Sequence, residues 1–202
     1  MGVLLIVLLI VLAVNAIAQD HRLSLGGGFA RHGTDNVNGF FFSSTYEVRS
    51  HDKLGYTFSF TGTMHDGQTP ILYFDDVQTT WKQGALTFVT AGVQVNAGIS
   101  YNLLKFKNSR VAIGLSPLIR YQSTSNPDYA WVNFYPTTYF PGASLKRSIS
   151  VGGITSLNYT IDIRNFFIQA FASIQYDTHQ DALSMLGLSM GRRFPLAKAA
   201  NN

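Results

Sequence analysis

The stretch from Thr87 to Leu104, TFVTAGVQVNAGISYNLL, limits what this chain can fold into more than any other. Every second residue (Val89, Ala91, Val93, Val95, Ala97, Ile99, Tyr101, Leu103) is apolar. The residues between them, Thr90, Gly92, Gln94, Asn96, Gly98, Ser100 and Asn102, are polar or small and uncharged. Successive side chains of a strand point to opposite faces, so this period of two predicts one long strand with two unlike faces. Strands of soluble domains usually run to about five or six residues, whereas about nine to eleven tilted residues cross a bilayer. The expectation is that the apolar face meets lipid and the polar face lines the inside of a small barrel.

The same alternation recurs in eight segments: 21–31, 38–50, 54–65, 87–104, 110–122, 145–161, 166–178 and 182–194. In the second, Phe40, Phe42, Tyr46 and Val48 are expected outward against Ser43, Thr45, Glu47 and Arg49. In the fifth, Pro117 falls on the outward set, where a missing N–H predicts a local bulge. The links at 51–53, 105–109 and 162–165 are short. Those at 66–85 and 123–144 are long and alternate with them. Short periplasmic turns and longer external loops are the asymmetry of outer-membrane barrels, and an even strand count puts both termini in the periplasm. Under that topology Tyr56, Tyr101, Tyr159, Phe166 and Phe194 form a periplasmic aromatic belt. Phe29, Phe40, Phe42, Tyr121 and Tyr176 form an external one.

Composition separates this reading from a soluble lipocalin-type barrel, which also has eight alternating strands but turns its apolar face inward. Its other face would then be wet and rich in Lys and Glu. Here only 13% of residues are charged, about half the usual fraction. The net charge is +4 with the bases scattered, which argues against nucleic acid as a partner. There is no cysteine, which excludes disulfides and thiolate metal sites. The fold class expected is all-β, an eight-stranded antiparallel up-and-down transmembrane barrel.

Ahead of the barrel, Val3–Val14 is an unbroken apolar run followed by Ala16-Ile17-Ala18, a small-x-small pattern before Gln19. It reads as a secretory signal peptide cleaved after Ala18. No Lys or Arg precedes the run, so a retained anchor is the alternative. The division expected is a leader at 1–18, the barrel at 19–194 and a periplasmic tail at 195–202.

The eight amphipathic segments, the leader and a last segment, LGLSMGRRF, that closes on an aromatic together resemble the OmpA/OmpX-like eight-stranded outer-membrane barrels. The likeness covers roughly residues 21–194. The Ala-Gln-Asp start of the mature chain and the Gly/Phe-rich strands look like the small barrels of Bacteroidota. The resemblance implies that Leu186, Leu188, Met190 and Phe194 form the signal read by the barrel-assembly machinery. Eight further residues after Phe194, and Arg192 on the outward set, depart from that pattern.

Three groups of residues could carry function. Arg22, Glu47, Arg49 and Arg193 are expected in the periplasmic half of the lumen, and Arg120 and Lys146 nearer the external end. Buried charges need partners, and an eight-stranded barrel is just wide enough for side chains to fill, so these predict a charge-paired plug rather than a pore. The long link NPDYAWVNFYPTTYFPG, 126–142, sets Tyr129, Trp131, Phe134, Tyr135, Tyr139 and Phe140 among three prolines. Exposed aromatics on a stiff loop are the residue types of binding hot spots. The alternative is that they fold over the barrel mouth. The third group is a scatter of His65, His179, Ser123 and Ser125 near acidic residues of the external rim, without a spacing that ties a nucleophile to a base. The external carboxylates form no contiguous calcium loop, and no cofactor or metal is expected.

The function expected is structural or interactive: a barrel held in outer-membrane lipid that presents external loops to a protein partner, as an accessory subunit of an envelope complex. A lipid-modifying enzyme and a narrow channel are the alternatives.

Overall fold

In the computed structural model the described residues are 20–33, 37–49, 53–75, 78–127, 131–134, 137–140, 143–179 and 182–195. Side chains are described throughout these ranges except in 69–75, 84–88, 126–127, 131–134 and 137–140 and at 143 and 195. The expected leader, 1–18, and nearly all of the tail lie outside the described residues.

Ten strands follow one another: β1 Asp20–His32, β2 Val37–Arg49, β3 Leu54–Asp75, β4 Thr80–Lys105, β5 Ser109–Pro127, β6 Trp131–Phe134, β7 Thr137–Phe140, β8 Ala143–Ile163, β9 Phe166–Asp177 and β10 Ala182–Pro195. Eight of them close into one antiparallel barrel in the order β1-β10-β9-β8-β5-β4-β3-β2, with β2 returning to β1. The remaining pair, β6 and β7, forms a separate two-stranded hairpin within the β5–β8 connection, in register Trp131↔Phe140. The first and last residues of the described barrel, Asp20 and Pro195, sit opposite each other at the barrel end that carries the short turns. That end is called the turn end below, and the other the hairpin end.

Closure removes the sheet edges within the barrel wall, which is one of two ways a backbone can cross a bilayer with its polar groups satisfied. The two faces then decide the solvent. Leu25, Phe29, Ile119, Ile149, Ile174, Leu186, Leu188 and Met190 all point outward and are 60–80% exposed. Inward positions are Ser59, Thr61, Thr63, Gln94, Asn96, Ser100, Asn102, Ser150, Thr160 and Ser189, all buried. A water-soluble barrel would have these faces exchanged. This is a transmembrane barrel whose apolar face takes lipid as its solvent.

Two expectations are corrected. The link 66–85 is strand over most of its length. The β3–β4 ladder continues from Asp66↔Val89 to Asp75↔Thr80. Beyond His65, β3 has lost β2 as a neighbour, so Pro70 sits in an edge strand, where a missing donor is tolerated. Likewise β5 and β8 pair on as far as Pro127↔Ala143, so 123–127 and 143–144 are strand rather than link. The second correction concerns Pro117. No bulge forms there: the β5–β8 register runs straight through Pro117↔Gly153. On the other side the β4–β5 ladder omits the pairs opposite Pro117 and Ser116 and resumes in the same register. The register shift lies near the turn end instead, between Asn102 and Leu104. Close approach accounts for the difference. A Cβ at Gly98 would collide with the Ser116 hydroxyl and the Leu115 carbonyl, so glycine lets β4 lie against the proline-bearing strand without an inserted residue.

Candidate functional site

The lumen is built in layers. At the turn end, three carboxylates and four guanidiniums interlock. Arg22 donates from Nε to Asp20 Oδ2 at 2.9 Å and from Nη1 to Asp162 Oδ1 at 3.0 Å. Its plane lies over the Phe167 ring, 5.4 Å from the centroid. Glu47 Oε1 accepts from Arg49 Nη2 at 2.8 Å and from Ser100 Oγ at 2.9 Å. Its other oxygen lies 3.6 Å from Arg110 and 4.0 Å from Arg22. Arg110 donates to Asp162 at 3.2 Å, and Arg193 reaches Asp20 at 3.2 Å and Asp162 at 3.5 Å. Adjacent strands carry these groups at matched depth: Arg22 pairs with Glu47 on one side and Arg193 on the other. Each carboxylate therefore bridges cations from several strands, which ties β1, β2, β5, β8 and β10 together across the lumen.

Above this layer lies a small cavity of about 110 Å³ lined by hydroxyl and amide side chains, among them Ser59, Thr61, Asn96, Ser116 and Asn158. Its walls also include Phe41, Phe171 and Met185. Phe41 and Phe171 meet edge-to-face, 5.5 Å between centroids, in an apolar cluster with Ala30, Leu183 and Met185 inside the barrel. Towards the hairpin end, His32 and His65 meet at 5.7 Å with both rings buried, near fully buried Arg120. Ser150 donates to Asp177 at 2.9 Å in the same region. The lumen is thus filled by ion pairs at one end and by apolar and polar side chains beyond it.

Of the lumen residues expected from sequence, Arg22, Glu47, Arg49 and Arg193 lie together in the turn-end layer. Arg120 is buried separately, towards the hairpin end. Lys146 is a correction: it is exposed, because its strand has already risen past β9, whose pairing with β8 stops at Gly152↔Asp177. Val48 keeps the outward parity, paired with His21 and Tyr56, but is covered there. Asp20, Arg110 and Asp162 were missed as members. Each of the three continues the inward alternation by one step: Asp20 before Arg22, Arg110 before Ala112, Asp162 after Thr160. Carrying the period to the strand ends would have found them.

At the hairpin end, His65 turns into the lumen rather than lying on the rim. Asp177 is engaged by the Ser150 hydroxyl and by the backbone N–H of His179 at 3.0 Å. Among the described residues no cluster of three or more His, Asp or Glu could hold a metal ion. The aromatic link places Trp131 and Phe134 in β6 and Tyr139 and Phe140 in β7. Tyr129 and Tyr135 lie outside the described residues. On β10, Leu186, Leu188, Met190 and Phe194 share the exposed outward face, with Arg192 stacked over Phe194 at 5.3 Å.

Among solved structures, the chain is similar to Ail, the attachment invasion locus protein of Yersinia pestis, with a TM-score of 0.54 at 14% identity over 88% of this chain and 99% of that one. The N-terminal β-barrel domain of Pseudomonas aeruginosa OprF gives 0.52 at 13% identity, over 88% and 98%. Neisserial surface protein A gives 0.52 at 12% identity, over 88% and 98%. No family model and no curated protein matches the chain. The likeness is one of fold, that of the small eight-stranded outer-membrane barrels.

Proposed function

We propose that this chain is a plugged barrel of the bacterial outer membrane whose role is to hold its hairpin-end surface outside the cell, where it docks onto a protein partner of an envelope complex. The observation that carries the reading is the free ladder of β3 and β4. It runs from Gly67↔Phe88 to Asp75↔Thr80 after β2 and β5 have ended their pairing with it. At about 3.4 Å per residue it projects roughly 30 Å past the barrel wall. The β6–β7 hairpin, with its aromatic sequence, emerges from the same end. A protein that only sealed the membrane has no use for such an extension, whereas paired hairpins suit docking at a lower ordering cost than unpaired loops. The filled lumen supports a scaffold over a channel, and the reading assigns the chain no catalysis.

In this reading the leader at 1–18 directs export, and the turn end with both termini faces the periplasm. The outward row Leu186, Leu188, Met190 and Phe194 addresses the barrel-assembly machinery. Tyr129, Trp131, Phe134, Tyr135, Tyr139 and Phe140 form the contact surface. The test is affinity capture of the tagged protein from mild-detergent outer membranes after crosslinking. Alanine replacement of Trp131, Tyr135 and Tyr139 together is expected to abolish the captured partner while the folded barrel persists on unheated gels. Undiminished capture by the triple variant would overturn the docking assignment.

A further inference from the structure

The lipid-facing wall is not uniform. Across β1, β10, β9, β8 and β5 the paired residues Phe29↔Leu186↔Ala172↔Leu157↔Ile113 form one outward row. The next row towards the hairpin end is Arg31↔Ser184↔Ile174↔Thr155. Short side chains at Ala172, Ser184 and Thr155 lie among long ones, and the hollow they leave measures about 700 Å³. It is open towards the lipid along its length. One end is apolar. The other is polar, where Arg31, Asn38 and Ser184 line it beside the last residues of β1 and the first of β10.

We infer that this groove holds a phospholipid of net negative charge from the leaflet at the hairpin end, its acyl chain in the apolar hollow and its anionic headgroup on the Arg31 guanidinium. Every lipid tail is as apolar as the wall, so exclusion from water cannot select one lipid here. Selection comes from shape, through dispersion contacts with a hollow that flat packing leaves unfilled, and from charge. A guanidinium at headgroup depth pairs with phosphate through two parallel hydrogen bonds, and Asn38 and Ser184 add neutral polar partners. A second protein would need a complementary ridge and would not need the cation at the rim, so an amphipathic anion fits both ends better.

Native mass spectrometry of the full barrel in mild detergent tests this with two probes at equal concentration, dioleoyl phosphatidylglycerol and dioleoyl phosphatidylcholine. The wild type is expected to retain the anionic probe about fivefold better, the scale of one basic residue at a headgroup. Arg31→Gln should bring the two probes level, and Arg31→Lys should keep most of the preference. Ala172→Phe, which fills the hollow, should lose both probes. Ala170→Phe, on the same face of β9 but outside the groove, should lose neither. Equal retention of the probes by the wild type, an unchanged preference in Arg31→Gln, or equal lipid loss in the two alanine variants would overturn the inference. Gel mobility of unheated samples verifies folding of each variant.

Discussion

Replacing Glu47 removes one of three carboxylates that hold four guanidiniums at the turn end of the lumen. The interlocked set of Asp20, Glu47 and Asp162 with Arg22, Arg49, Arg110 and Arg193 carries 4 − 3 = +1. Glu47→Ala raises this to +2 in a region where the Glu47, Arg22, Arg49 and Arg110 side chains are at most 13% exposed. The carboxylate accepts two short hydrogen bonds, from Arg49 and Ser100, and lies within 4.0 Å of two further cations. A hydrogen bond to a charged group contributes about 1.5–3 kcal/mol, and breaking a buried ion pair by removing one partner costs about 3–5 kcal/mol. Glu47→Ala is therefore expected to destabilise by about 3–5 kcal/mol, and Glu47→Gln, which keeps an acceptor for Ser100, by about 2–3 kcal/mol. Arg49→Ala on the Glu47→Ala background removes the stranded cation. A double-mutant cycle should then return a coupling of about 1.5–3 kcal/mol. The assay is urea unfolding in phosphatidylcholine vesicles, read by tryptophan fluorescence and by the mobility difference between folded and heated barrel. A loss below about 1 kcal/mol for Glu47→Ala, or strict additivity with Arg49→Ala, would refute the claim that this layer ties the strands together.

Other perturbations test other links in the same way. Leu188 lies mid-strand on the outward face and is 63% exposed. Leu188→Arg should cost about 2–4 kcal/mol in vesicles if that face meets lipid, and next to nothing if it meets water. Gly98→Val drives a side chain into Ser116 and the Leu115 carbonyl and should cost at least about 1–3 kcal/mol, seen as a lower urea midpoint. Arg164, in the two-residue turn between β8 and β9, has φ 55°. Arg164→Asn should stabilise the barrel by about 1 kcal/mol, read as a higher urea midpoint, because asparagine tolerates this left-handed conformation better.

The barrel was legible in the sequence because lipid and a narrow lumen impose opposite chemistries on alternate residues over the whole height of the wall. Val93, Val95 and Ile99 against Gln94, Asn96 and Ser100 admit one reading of which face is which. Legibility fails where that contrast ends. Past His65 the β3–β4 ladder leaves the wall, and Asp66, Gly67 and Pro70 read as loop residues. The pairing there depends on the neighbouring strand, which sequence does not display. Lys146 failed for the same reason: its parity points inward, but the strand has outrun the neighbour that would have enclosed it. Asp20, Arg110 and Asp162 were hidden by being at strand ends, where a charged residue resembles a turn. The Phe41–Phe171 pair was overlooked because aromatics were assigned to lipid, although both fall on the inward parity. The lipid-facing hollow around Ala172 could not have been read at all, since it depends on which residues lie side by side across four ladders.

The central claim is that the wall is closed and the lumen filled, so that function resides on the surface the barrel displays. Planar-bilayer recording of the refolded full barrel tests it most directly. Ion pairs at the turn end and the Phe41–Phe171 cluster above them occupy the lumen, and the account predicts a flat baseline with no resolved unitary steps. Reproducible, ion-selective steps from the wild-type barrel would contradict it.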